Sequence, residues 1–430
     1  MASLSRCLVL VAAAACGAPG AGQEAPRGRP AVLVTVVIDQ FPAWLAEERL
    51  PQLPAGGGFA RLRREGLTVR EMRYAHAATH TGPGHAALYT GLPPHRSGVA
   101  LDTVFDPRGE EVSAYLDRDT RLVTPDGPTD APGSSPALLR AATVADHLRA
   151  AQPRAFIASV SIKDRGAIFA GGRAPDACLW FDAAAGSFAT STAFAARFPG
   201  WARRLGDRRA IAAALSRPWQ PLDPAWLRAR AATGDDQPGE ADGHGLGTVF
   251  PHRATGSKAF RFLPAADAAV LGLAAAAAAR APRGAPTLIA VSLSANDYIG
   301  HGFGPGSWES WDEWLRLDAA LGRFMRELDA RFGADGWSMM VTGDHGVSPL
   351  PETLASAPPW CRAGRAPDRW GRACAPGHRL LRWPLARRLE ETASRVAGRP
   401  GPWIAGVIEP AVILTPAARA LPPAPRRALV

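Results

Sequence analysis

The sequence predicts an α/β fold: a three-layer sandwich with a mainly parallel, doubly wound sheet and an inserted irregular lobe. Continuous apolar, β-branched runs recur at 31–38, 155–161, 287–293 and 337–342, as expected for strands buried on both faces. Helical patterns lie between them at 136–151, 267–281 and 317–332, and strands that alternate with helices build parallel sheets. The 430 residues suffice for one large core with an insertion.

Along the chain, residues 1–22 read as an export signal. Arg6 supplies a charged start, CLVLVAAAAC a short apolar core, and small residues follow. The apolar core is too short to span a bilayer. A lipid anchor at Cys16 is the alternative to simple cleavage. The expected location is periplasmic or secreted, an oxidising space in which Cys361 and Cys374 are spaced to close a small disulfide loop and Cys178 is left over. Residues 23–30 form a polar linker before the catalytic body at 31–430. The stretch 174–262, rich in Trp, Pro and Gly, breaks the strand–helix alternation and is expected to form a lobe inserted over the site. A second irregular stretch begins near 349 and is read as a partial lobe reaching 430.

Composition excludes several classes. With 47% hydrophobic and 20% charged residues the chain is not mainly disordered. No apolar run of about 18 residues follows the N-terminal segment, which excludes a multi-span membrane protein. The net charge of +10 would suit nucleic acid or an anionic substrate. However, the basic residues are almost all Arg, scattered singly, and the only lysines are Lys163 and Lys258. Without a basic patch or a known module, no nucleic-acid partner is expected.

In open α/β sheets ligands bind beyond the carboxyl ends of the strands. Here those ends carry Asp39, Lys163-Asp164-Arg165, Asp297 and Asp344-His345. Asp39 suits a helix N-cap or a metal carboxylate. Asp344 and His345, with Gly346 beside them, suit a zinc ligand pair, His345 alternatively a core histidine. Asp297 and His301 share one helical face at i, i+4. Thr81 lies just ahead of a helix whose first turn contains Pro83. That end favours an anion, with Thr81 as nucleophile or mere cap. On an extended segment Lys163 and Arg165 would point to one side, toward a phosphoryl group or toward solvent.

Together the motifs VVIDQF (36–41), THTGPGHAALYTG (79–91), SIKDRGAIFAGG (161–172), FPHR (250–253), SLSANDYIGHGFGP (292–305) and TGDHGV (342–347) resemble the alkaline phosphatase superfamily. The nearest match is its threonine-nucleophile branch of bimetal phosphatases and phosphodiesterases, closest to the PafA-type alkaline phosphatases. The resemblance implies two zinc ions, one on Asp39, Thr81, Asp344 and His345, the other on Asp297 and His301. It implies Thr81 as the nucleophile that becomes phosphothreonine, with Lys163 and Arg165 on the phosphoryl oxygens. The implied activity is hydrolysis of small phosphate monoesters. A phosphodiesterase or nucleotide pyrophosphatase is the first alternative, and a non-catalytic remnant that binds zinc or phosphate the second.

Two departures from the pattern stand out. Where the family has a phosphate-binding Asn about twenty residues past the nucleophile, this chain has Asp102, read as substrate-binding or as a loop carboxylate. The third ligand of the second zinc, a His after a final lobe, is not found, so the C-terminus reads as truncated. His378 is the last histidine that could substitute.

Overall fold

The structure is a computed structural model that describes residues 31–105, 110–231, 233–354, 379–409 and 411–428. The segment 1–22 with Cys16, the Cys361–Cys374 pair and His378 lie outside the described residues. The described strands are β1 (Val32–Ile38), β2 (Thr103–Phe105), β3 (Glu111–Ser113), β4 (Leu116–Thr124), β5 (Gly127–Ser134), β6 (Phe156–Ser161), β7 (Ala177–Asp182), β8 (Ser187–Ser191), β9 (Thr287–Leu293), β10 (Trp337–Gly343), β11 (Ile404–Ile408) and β12 (Ala411–Leu414). β10, β1, β9, β6 and β7 run parallel in that order, and antiparallel β8, β4 and β5 extend the sheet to eight strands.

The α/β sandwich with a mainly parallel sheet is the observed architecture, with three layers. On one face Val34, Val36, Val160 and Val291 pack against the helices Pro264–Arg280 and Trp308–Phe332. On the other, Val37 and Ala290 meet Tyr89 and Ala170, while Ile157 and Leu288 meet Ala145. Those partners lie on the helices Thr81–Thr90, Asp164–Gly171 and Val144–Ala151.

Three sequence expectations need correction. The stretch 174–262 begins as sheet: β7 and β8 lie inside it, joined by a turn at Gly186 (φ +66°), so the irregular part starts after Ser191. β10 is an edge strand with Met340 45% exposed, not a strand buried on both faces. The pattern 136–151 becomes helix only from Val144. Thr143 and Asp146 form a capping box there, and such a box fixes a helix start.

Register decides where the chemistry falls. Ile38 pairs with both Gly343 of β10 and Leu293 of β9, so three neighbouring strands end on one row. β6 follows one step behind, with Ser161 opposite Ser292. The row is buttressed by Trp314, which is fully buried and packs on Phe41 and Phe59 at centroid distances of 4.8 and 5.5 Å. Its indole N–H donates to Asn296 Oδ1 (2.9 Å), and Asn296 Nδ2 donates to the carbonyls of Asp39 (2.8 Å) and Gln40 (3.0 Å).

A small satellite follows the main body: the helix Arg382–Ala397 and the β11–β12 hairpin close around Ala393, Trp403 and Ala418. It borders the β2–β3 hairpin through Arg382 and Glu111 (2.7 Å), and reaches His80, whose Nε2 contacts the Glu409 carbonyl. No helix among the described residues is long and apolar enough to cross a membrane.

Replacing Trp314 by Phe keeps a ring against Phe41 and Phe59 but leaves Asn296 Oδ1 without its donor. A buried acceptor left unpaired costs about 1–3 kcal/mol, so urea unfolding of Trp314→Phe is expected to show a loss of that order. An unchanged midpoint would show that the indole N–H does not hold the Asn296 bracket.

Candidate active site

The first residues past the aligned strand ends are Asp39, Asp344 and Ser294, which leads into the helix Ala295–Gly302 carrying Asp297 and His301. Gln40 takes a left-handed backbone (φ +61°), an uncommon state for a residue with a Cβ, worth about 1–2 kcal/mol of strain. The turn lets its N–H donate to Asp344 Oδ1 (3.1 Å) and its side chain to Asp297 Oδ1 (3.0 Å). His345 Nδ1 donates to the Gly346 carbonyl (2.9 Å), which turns Nε2 inward. Nε2 is 3.2 Å from Asp39 Oδ1, 3.8 Å from Asp297 Oδ1 and 3.9 Å from Asp344 Oδ2.

Asp39, Asp344 and His345 thus offer ligand atoms all within 4.8 Å of one another, a possible Asp/Asp/His metal site. Two observations fit a cation there. Asp39 Oδ2 and Asp344 Oδ2 are buried and find no neutral hydrogen-bond donor among the described residues. Each instead faces a basic nitrogen, Lys163 Nζ at 2.7 Å and His85 Nδ1 at 3.2 Å. Burial opposes charge on His345, but Asp344, Asp39 and Asp297 outweigh it and push the imidazole up to about 10. Burial likewise opposes charge on Asp344 and Asp297. His345 nonetheless holds Asp344 below the usual carboxylate range, and Lys163 holds Asp297 well below it.

Thr81 is the first residue of its helix, with His80 as N-cap and Pro83 in the first turn. Its Oγ1 receives a hydrogen bond from Lys163 Nζ at 2.9 Å and lies 3.5 Å from Asp39 Oδ1, the outer limit for donating its own proton. Gly84 lets this helix approach β10's end: a Cβ there would stand 2.3 Å from the Asp344 carbonyl oxygen.

Lys163 and Arg165 do not form the extended i, i+2 pair read from the sequence. Lys163 is the N-cap of the helix Asp164–Gly171 and Arg165 lies inside it; the two reach different carboxylates while staying close enough to interact. Lys163, 5% exposed, bridges Asp39 (2.7 Å) and Asp297 (2.6 Å). Burial alone would lower it, but Asp297 and Asp39 raise it above its ordinary value. Arg165 instead faces Asp102, Nε to Oδ2 at 3.2 Å. Asp102 Oδ1 accepts the Gly82 N–H and the Tyr115 hydroxyl, both at 2.7 Å. Asp102 is therefore held against the N-terminus of the Thr81 helix rather than free in a loop. His301 joins Asp297 (3.2 Å) but stands at the rim, its side chain 68% exposed, and outside the Asp39–Asp344–His345 group.

A family model described as type I phosphodiesterase / nucleotide pyrophosphatase matches residues 33–362, which contain every one of these residues. The chain belongs to that family. Among similar proteins, alkaline phosphatase PhoV of Synechococcus elongatus is 34% identical over 343 residues, covering 77% of this chain and 62% of that protein. Alkaline phosphatase PhoK of a Sphingomonas species is 33% identical, over 75% of this chain and 56% of its own length. The chain thus spans about three fifths of the length of these relatives. The crystal structure of wild-type alkaline phosphatase PafA superposes with a TM-score of 0.77 at 23% identity, over 92% of this chain and 74% of that one, which shows a shared fold.

Sequence reasoning gave no role to four residues of this family member's site: His85, Gln40, Asn296 and Tyr115. His85 had a signal, since it lies four residues past Thr81 on the same helical face. Its Nδ1 lies 2.8 Å from the Thr81 carbonyl and its Nε2 2.9 Å from Ser292 Oγ. The FPHR motif, by contrast, serves packing: His252 is buried against Glu309 (3.0 Å). Asp267 also supports the site. Its Oδ1 accepts the N–H groups of Ser294 (2.9 Å) and Ala295 (3.0 Å) at the start of the helix that carries Asp297. Burial, with the Asp39 charge added, pushes Asp267 up from 3.8 to about 7 against the hydrogen bonds it accepts.

Gly84→Ala is expected to cost about 1–3 kcal/mol by overpacking and to weaken divalent-cation binding at the possible Asp39–Asp344–His345 site by displacing Asp344. Urea unfolding paired with a metal titration checks both, and unaltered affinity would break the link. A carboxyl whose value is raised in the fold contributes stability that is complete below 3.8 and is lost as pH rises through about 7. Asp267→Asn keeps an acceptor for both N–H groups and cannot ionise. Its melting temperature is expected to fall less than that of the unaltered protein between pH 4 and 8, and an equal fall would exclude Asp267 as the titrating group.

Proposed function

We propose that this chain is the catalytic body of an exported, zinc-dependent hydrolase of small phosphoric esters, with Thr81 as nucleophile. The observation that carries the reading is the placement of Thr81 Oγ1 between Lys163 Nζ and Asp39 beside the Asp344–His345 pair, at a helix N-terminus. The Lys163 ammonium donates to Oγ1 and favours its oxyanion, while Asp39 is the nearest acceptor for the hydroxyl proton. Oγ1 attacks phosphorus, the ester oxygen leaves with the alcohol, and water then cleaves the phosphothreonine to release phosphate. Zinc on Asp39, Thr81, Asp344 and His345, and on Asp297 and His301, would supply a Lewis acid in the manner of two-metal sites. His85 holds Asp344 from behind, and Gln40 holds both Asp344 and Asp297, so the donors stay in place before any ion arrives.

The names of the two relatives at 34% and 33% identity favour a phosphate monoester as substrate. A second reading, a phosphodiester, is favoured by the pairing of Arg165 with Asp102, which engages one of the two cations the phosphoryl group would need.

The test is turnover of an aryl phosphate monoester and a matching diester by zinc-loaded protein, with and without a chelator. Thr81→Ala is expected to lower turnover at least about a thousandfold, as removing a nucleophile does elsewhere, and chelation to abolish it. Turnover that survives Thr81→Ala would overturn the assignment of the nucleophile.

A further inference from the structure

A carboxylate stands where an anion would be expected to bind. The N-terminus of the Thr81 helix presents the Gly82 N–H, a donor suited to an anionic oxygen. That donor is taken by Asp102 Oδ1 at 2.7 Å. The same oxygen accepts the Tyr115 hydroxyl, and Oδ2 faces Arg165. Tyr115 is 2% exposed and packs edge-on against Phe169 at 5.2 Å, so its hydroxyl is fixed and Asp102 with it. Gly82 is pressed against both groups: a Cβ on it would lie 1.6 Å from the Tyr115 hydroxyl and 2.5 Å from Asp102 Oδ1, so only glycine allows this approach. Arg165 holds the carboxyl below its ordinary range despite burial, so the charge persists. The other nearby cation, Lys163, is bound to Asp39 and Asp297.

We infer that Asp102 is a specificity-determining residue that competes with the substrate's phosphoryl oxygens for the Gly82 N–H and Arg165, and so turns this site toward phosphoryl groups with one negative charge, as in diesters, over dianionic monoesters. The inference rests on the proposed hydrolase reading and sharpens it by naming the charge class of the substrate. A monoester carries two charges at neutral to alkaline pH, its second ionisation lying near 6. The second charge meets Asp102 where the first faces Lys163 and the cations that the metal ligands would hold, whereas a diester oxygen bearing an organic group meets no such repulsion.

The experiment uses the zinc-loaded full chain and two readouts. One is the Kd for inorganic phosphate by calorimetry; the other is kcat/KM for the aryl monoester and for its methyl diester. Asp102→Asn keeps the Tyr115 contact and removes the charge. It is expected to tighten phosphate binding about 30-fold and to raise the monoester-to-diester ratio by a similar factor, the size of one like-charge contact in a partly screened site. Phosphate affinity and ester ratio both unchanged or lowered by Asp102→Asn would overturn the inference. Arg165→Ala gives an independent arm. It leaves the Asp102 carboxylate without its counter-ion and is expected to cost phosphate affinity at least about tenfold, an uncompensated part-buried charge being costly. A loss under about threefold from Arg165→Ala would overturn the inference even where Asp102→Asn does not fold. Failure of the hydrolase reading is told apart by turnover: absence of Thr81-dependent hydrolysis of both esters sinks that reading, while the phosphate titrations still decide the role of Asp102.

Discussion

Three parallel strands that stop on one row force acidic groups together, and the rest of the site answers that crowding. Asp39 and Asp344 follow β1 and β10 directly, and Asp297 arrives within the first turn after β9. Each carboxylate is at most 2% exposed. An unpaired buried charge costs several kcal/mol, so such a cluster is tolerable only with positive charge among it. Lys163 enters from the end of β6 to bridge two of the three, His345 stands beside all of them, and His85 supports Asp344. The same logic that makes this cluster need cations makes it a receptive place for metal ions.

The scaffold behind the cluster is polar and fully buried. Gln40 stays left-handed because its N–H, its amide and its carbonyl all find partners, and the carbonyl's partner is Asn296. Asn296 in turn depends on an indole from the long helix Trp308–Phe332. A strained turn at the chemistry is thus held by packing on the far side of the sheet, an arrangement often found where geometry serves function.

Much of this was legible in the sequence. The apolar runs at 31–38 and 287–293 became central strands because nothing in them conflicts with burial on both faces. The ligand candidates at the strand ends were legible because parallel strands place their carboxyl ends on one edge. What was hidden depended on long-range pairing. β4 and β5 are polar and carry Pro128 and Pro132, features of sheet margins that a burial pattern does not find. β7 and β8 were masked by the irregular chain that follows them. The separate partners of Lys163 and Arg165 could not be read from their spacing, since they depend on the helix starting at Asp164 rather than on an extended strand end. Tyr115 reaches Asp102 only because the β2–β3 segment folds back over the Thr81 helix, with the Ala114 N–H on the Asp102 carbonyl.

The scarcity of lysine has a practical side. Of the two in the chain, Lys163 is sealed among carboxylates, while Lys258 is exposed at the start of the short 3-10 turn Ser257–Phe262. Among its side-chain amines the folded protein therefore offers an acylating reagent a single accessible handle. A fluorophore or surface linker attached there sits on a turn whose Arg261 and Phe262 pack on Tyr298, within the helix that carries Asp297, and so reports on the flank of the charged row.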